Sequence, residues 1–192
     1  MDEVNKMKII SAPDPVLSTP AKEVEKVDQQ ILKLIDEMEI ALDSAKDPEG
    51  VGLAAPQVGK SLRLFIAKPS PKDKTKVFIN PVIIEQAEPT KKFTRARKVG
   101  KKKEPQKLEG CLSLKDIWGV VKRSPTATVQ YTNEKGERKT EKFSGFMGTI
   151  VQHETDHLNG ILFPRRVLEQ KGKLYKSYKE KGEDVFEELE LP

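Results

Sequence analysis

The chain has 192 residues, 36% of them hydrophobic, with 35 Lys and Arg against 30 Asp and Glu for a formal charge of +5. That length suits one compact domain rather than two, no apolar run reaches the roughly 18 residues of a membrane span, and MDEVNKMKII lacks the apolar core of a secretory signal. A cytoplasmic chain without membrane association is expected, and a single cysteine, Cys111, with no partner for an internal disulfide, agrees with a reducing compartment.

The first predicted element is a helix from an Asp28 N-cap to about Ala45, because Ile31, Ile35, Met38, Leu42 and Ala45 share one face at helical spacing. DPEGVGLAAPQVGK follows as a Gly- and Pro-punctuated segment. The apolar runs Leu62–Ala67, Lys76–Asn80 and Val82–Glu85 read as strands, with Asn80-Pro81 marking a bend. Lys91 to Lys107 then holds nine Lys or Arg and one acid and reads as a long solvated loop. The rest of the chain, with 26 basic and 29 acidic residues, is slightly acidic, so the positive charge belongs to one segment and not to the fold.

WGVVKR predicts a further strand, and ATVQYTNEKGERKTEKF an antiparallel hairpin turning near Asn133–Gly136. Ser144 is placed to cap a second helix that ends at Asn159–Gly160, where the glycine suits a left-handed C-cap. The charged stretch from Lys171 onward is read as a possible third helix. The order of elements is α+β, without internal repeats.

The second helix carries both histidines of the chain. Phe146, Ile150, His153 and His157 recur at spacings of four, three and four, so the imidazoles extend an apolar face directed into the fold. Histidines at i and i+4 bring two nitrogens to one point, and HExxH places Glu154 beside them as a proton carrier. A hydrogen-bonded core histidine is the competing structural reading. Cys111 tips the balance, since it lies in the polar, Gly-containing LEGCLS and supplies a third ligand while leaving a fourth position open, as in catalytic sites. A buried thiol acting only as a small hydrophobe is the alternative. Asp156 is expected to anchor the helix through Arg123, with a solvated charge as the other reading.

Three motifs, GVGLAAPQ (Gly50–Gln57), EGCLS (Glu109–Ser113) and HETDH (His153–His157), together with PDPVL, FINPVII and NGILF, resemble the peptide deformylase family over about residues 7–166. The resemblance implies mainly antiparallel sheets wrapped around a central HExxH-bearing helix, and removal of the formyl group from N-formylmethionyl peptides and nascent chains. It implies that Cys111, His153 and His157 hold one divalent metal, with iron(II) favoured and zinc, nickel and cobalt compatible with the ligand set. Glu154 then moves the proton, and the Gln57 side-chain amide and Leu112 backbone N–H stabilise the oxyanion. Gln57 bonding loop backbone, and Leu112 filling core, compete with those roles.

The substrate backbone is expected along Gly50, Val51 and Gly52, with Gly110 on the opposite wall. Phe146, Ile150 and Glu109 are the candidates for the methionine pocket, Ile150 competing with plain core packing. The implied organisation is a single catalytic domain over residues 1–170, a basic insertion at about 88–107, and a charged tail over 171–192. Ribosome contact through Lys91–Lys107 or the tail is a further expectation.

Three features depart from the family pattern: the 27 residues between Pro81 and Glu109, the lack of a proline two residues after Ser113, and Trp118 at a position often polar or basic. All border the expected substrate cleft. The competing functions are a nucleic-acid-binding module led by the basic segment, with a structural metal, and an ordinary HExxH endopeptidase.

Overall fold

A computed structural model describes residues 7–46, 48–88, 108–180 and 183–190. The first helix, α1 (Gln29–Ser44), begins where expected, with the Asp28 carboxylate accepting from the N–H groups of Gln30 and Ile31. Those bonds satisfy two donors that a helix N-terminus leaves unpaired. Its Leu34, Ile35, Met38, Ala41 and Leu42 are buried against Leu53, Leu64, Ile66 and Ile79.

A five-stranded antiparallel sheet has the order β1-β2-β3-β6-β7: β1 (Gly52–Ala54), β2 (Leu64–Ala67), β3 (Lys76–Gln86), β6 (Thr126–Thr132) and β7 (Arg138–Ser144). A second antiparallel sheet has the order β4-β5-β8-β9: β4 (Glu109–Cys111), β5 (Leu114–Gly119), β8 (Leu174–Glu180) and β9 (Glu183–Glu188). The α+β class with antiparallel sheets is therefore borne out. The hairpin β6–β7 turns at Asn133–Gly136 as read from sequence, with Gly136 N–H donating to the Asn133 carbonyl.

The HETDH segment lies in α2 (Gly145–Leu158), which packs against β1, β2, β6 and β7. Ile150, Val151 and Leu158 join Phe65, Phe78, Val129 and Phe143 in the core beneath it. Gly160 follows the helix at φ +68°, the left-handed geometry expected of its C-terminus. Ser144 occupies the N-cap position, but its side chain makes no capping hydrogen bond. A short helix, α3 (Phe163–Glu169), then covers the second sheet through Phe163 and Val167. Among the described residues no helix is long and apolar enough to cross a membrane.

Four sequence expectations need correction. Asn80-Pro81 does not divide two strands. β3 runs through it with a register shift between Ile79 and Val82, and a bulge accommodates a proline that has no N–H for the ladder. The strand expected over Trp118–Arg123 lies earlier, at β5, because the chain beyond Gly119 leaves the ladder: Lys122 N–H donates to Gln170 Oε1 and the Arg123 side chain turns inward. The helix expected beyond Lys171 is the hairpin β8–β9, docked on β5 and cross-linked by Lys173–Glu188 and Lys179–Asp184 ion pairs. Finally, Phe146 does not point into the fold: it is 50% exposed at the start of α2, whereas Ile150 is buried. Lys91–Lys107 lies outside the described residues.

Candidate active site

The site forms where the edge strand β4 meets α2. β4 supplies Cys111, and consecutive turns of α2 supply His153 and His157. One donor atom from each of these three residues falls within 4.8 Å of the other two. Cys111 Sγ lies 3.2 Å from His157 Nε2, and the two imidazole centroids are 5.0 Å apart. Such separations suit bonds of about 2.0–2.3 Å from thiolate and imidazole to one divalent ion. The donor set thus fits a transition metal, and its sulfur and nitrogen atoms exclude a magnesium- or calcium-type site.

His153 is fixed from behind. Its Nδ1 lies 3.1 Å from Glu109 Oε2, leaving Nε2 toward the metal position, as in carboxylate–histidine–metal arrangements. Burial pushes His153 down, but the hydrogen bonds to Cys111 and Glu109 outweigh it and hold its pKa well above the usual value. His157 is depressed well below that value, first by burial and then by the positive charges of His153 and Arg123. A proton favoured on His153 competes with any divalent ion these donors would hold. Affinity for such an ion is therefore expected to weaken as pH falls.

Glu109 is in turn gripped by Arg123, whose Nε and Nη2 each donate to it at 3.0 Å, while Nη1 donates to Asp156 at 2.5 Å. Arg166 reaches the other Asp156 oxygen at 2.7 Å. Burial raises the Glu109 carboxyl, yet its bonds to His153 and Arg123 overcome this and hold it below the usual carboxylate range. Removing one member of so buried a network leaves a charge without its partner, at a cost of about 3–5 kcal/mol. The expected Asp156–Arg123 pair is thus present. Glu109, a candidate for the methionine pocket, directs its carboxylate to His153 and Arg123. Arg166 was missed by sequence reasoning, and its only signal was a cation shortly after the helix, ten residues from Asp156.

Glu154 is 4% exposed, and its Oε2 makes no hydrogen bond to protein. Burial raises its pKa to about 7, with His153 and Arg123 pulling the other way. A carboxyl poised there exchanges protons readily near neutral pH. Gly52 makes room for it, because a Cβ at that position would sit 2.4 Å from Glu154 Oε1 and 2.9 Å from Ile150 Cγ2. Space for that carboxylate, and not a left-handed backbone, is what calls for glycine here.

Gln57, 1% exposed, follows β1 in a short 3-10 turn. Its Oε1 accepts from Ala54 N–H at 2.8 Å, which orients the amide so that Nε2 faces Cys111 Sγ at 3.5 Å and Ser113 Oγ at 3.3 Å. Backbone bonding and orientation toward the site therefore coexist in one side chain. Ser113, another residue the sequence reading passed over, is buried beneath it. Leu112 packs partly against the α1 core. Val51 packs against the α2 core, and Gly50 has Leu42 at its back. The structure thus brings Cys111, His153 and His157 to one point with the Gln57 amide against Cys111, and sets the Glu154 carboxylate beside Gly52 and Ile150, while Phe146 stays at the outer end of α2.

The chain matches the family described as polypeptide deformylase over residues 6–173. It is 39% identical to the peptide deformylase of Pseudothermotoga lettingae, over 83% of this chain and 81% of that one. It is 36% identical to the enzyme of Christiangramia forsetii, over 89% and 86%. Its fold superposes on the Thermotoga maritima peptide deformylase with a TM-score of 0.69 at 35% identity, covering 83% of this chain and 96% of that one. Matching from residue 6 to residue 173, with the cysteine and both histidines brought to one point, the chain belongs to the polypeptide deformylase family, the metal-dependent hydrolases that remove the N-formyl group from nascent peptides.

Proposed function

We propose that Cys111, His153 and His157 hold one divalent ion and that Glu154, Gln57 and Leu112 carry out deformylation around it. The observation that carries this reading is the convergence of the chain's only cysteine and both its histidines beside a buried carboxyl raised to about 7. A divalent ion at these ligands supplies Lewis acidity and lowers the pKa of water. Iron(II) is the ion favoured by the family resemblance, and zinc, nickel and cobalt suit the same donors.

Glu154 takes the proton of the attacking water and returns it to the leaving amine as the formyl C–N bond breaks. The Gln57 amide, held by Ala54, offers a neutral N–H to the developing oxyanion, and the Leu112 backbone N–H offers a second. The peptide lies as an added strand between the edge strands β1 and β4, along Gly50, Val51, Gly52 and Gly110. Ile150, with the methylenes of Glu109, forms the inner wall of the methionine pocket and half-exposed Phe146 its rim.

The metal-loaded chain is expected to release formate from a formyl-Met-Ala peptide while leaving internal peptide bonds and RNA intact. Cleavage of an internal bond instead would favour the endopeptidase reading, and binding of RNA without formate release the nucleic-acid module.

We further place the protein in the cytoplasm, with residues 1–170 as one catalytic domain, an insertion at about 88–107 and a tail over 171–192. Nine cations and one acid in Lys91–Lys107 favour encounter with the RNA surface of a ribosome. Shortening that segment is then expected to weaken ribosome co-sedimentation at low salt and to leave small formyl peptides processed at nearly the same rate. Unchanged co-sedimentation would leave the segment a spacer.

A further inference from the structure

The second sheet ends at β4, the strand that carries Cys111, so among the described residues its outer edge is unpaired beside the site. Side chains of β5 alternate between two faces. A Cβ on Gly119 would meet Val167, Leu174 and Phe163, which puts Trp118 on the face away from α3. There the six-membered ring of Trp118 covers Gly110: a Cβ at Gly110 would lie 2.7 Å from Cζ3 and 2.9 Å from Cε3. Cys111 and Glu109 point the other way, toward His157 and His153. Only a glycine lets the indole lie across β4 toward its free edge.

The ring is also held from behind. Trp118 Nε1–H donates to Ser177 Oγ in β8 at 2.9 Å, and Phe186 in β9 meets the indole edge-on with centroids 5.9 Å apart. The C-terminal hairpin therefore braces an aromatic surface one strand in from the edge that borders the metal ligands. This arrangement has no part in the hydrolysis described above.

We propose that Trp118 is a specificity-determining residue that receives the side chain of the residue following formylmethionine. The inference rests on the reading of β4 as the strand along which the peptide adds. An added strand lies about 4.8 Å from β4, and its successive side chains point to opposite faces. With the methionine directed to the α2 face, the second side chain falls on the Trp118 face and reaches the indole across Gly110. An indole face favours aromatic, aliphatic or cationic groups over a carboxylate. Peptides with Phe at the second position are thus selected over those with Glu by about three- to tenfold in kcat/KM, the usual size of one such contact.

Trp118 is the only tryptophan in the chain, so its emission reports this contact directly. The first measurement titrates metal-loaded Glu154→Ala protein with formyl-Met-Phe-Ser and formyl-Met-Glu-Ser peptides. A saturable emission change, larger for Phe, is expected, and unchanged emission at saturating peptide overturns the proposal. The second compares kcat/KM of wild type, Trp118→Phe and Trp118→Ala on the same peptides, with metal content measured for each. The Phe-to-Glu ratio is expected to persist in Trp118→Phe and to flatten in Trp118→Ala, mainly through KM. An equal ratio in wild type and Trp118→Ala overturns the proposal while formate release continues. Absence of formate from every peptide with wild-type protein is instead the failure of the site reading itself.

Discussion

Glu154→Ala is expected to retain its metal and to lose about 10²–10⁴ in turnover, the usual worth of a positioned acid–base group. The two halves of that expectation have separate structural causes. Glu154 is not among the three side chains whose donor atoms converge, so its removal leaves Cys111, His153 and His157 in place. Its carboxyl is nonetheless buried, raised to about 7 and free of protein hydrogen bonds at Oε2, which suits a group that picks up and releases a proton in each cycle. Metal analysis and steady-state kinetics on the same sample separate the effects. Near-normal turnover in that variant would remove Glu154 from the mechanism. Glu154→Gln keeps the shape and hydrogen-bonding reach but cannot carry the proton, so it is expected to be about as inactive as Glu154→Ala.

Cys111→Ala is expected to lose most of the metal, with affinity falling by more than about 100-fold, since even the partners that orient ligands are worth about 10–100-fold. Of the three converging donors only the thiol comes from β4, so without it two imidazoles on one helix would have to hold an ion alone. Because both thiolate and neutral imidazole are needed, the wild-type affinity is expected to drop as pH falls, most steeply where His153 retains its proton against the metal. Full occupancy in Cys111→Ala would place the metal on other residues and revive the endopeptidase reading.

The elements legible from sequence were those with a local signal. The α1 stripe from Ile31 to Leu42, its Asp28 cap, the β6–β7 hairpin and the histidine spacing on α2 each rest on residues within a few positions of one another. What sequence reading missed depends on distant partners. Nothing local in Lys171–Glu188 favours a hairpin over a charged helix. β8 is fixed by pairing with β5, more than fifty residues earlier, and by Trp118 meeting Ser177 and Phe186. The strand shift near Trp118 has the same origin, because Arg123 is drawn in by Glu109 and Asp156 from two other elements.

The site was legible to the same extent. The grouping of Cys111, His153 and His157 was readable because Cys and His are scarce in this chain. The orientation of Glu109 toward His153 was not, since a glutamate next to a motif cysteine carries no mark of which neighbour it will face. Phe146 followed the helical spacing and still emerged at the surface, at the second residue of α2, whereas Ile150 one turn later is buried.

The reaction proposed is hydrolysis of the formyl amide by water at the Cys111–His153–His157 site with Glu154 as proton carrier. Its most direct test is mass analysis of the products from a formyl-Met-Ala peptide incubated in ¹⁸O-water with anaerobic, iron(II)-loaded protein. Formate bearing one oxygen from solvent is expected, together with an otherwise intact peptide ending in a free amine. Unlabelled formate, or peptide fragments from an internal bond with the formyl group still attached, would contradict it.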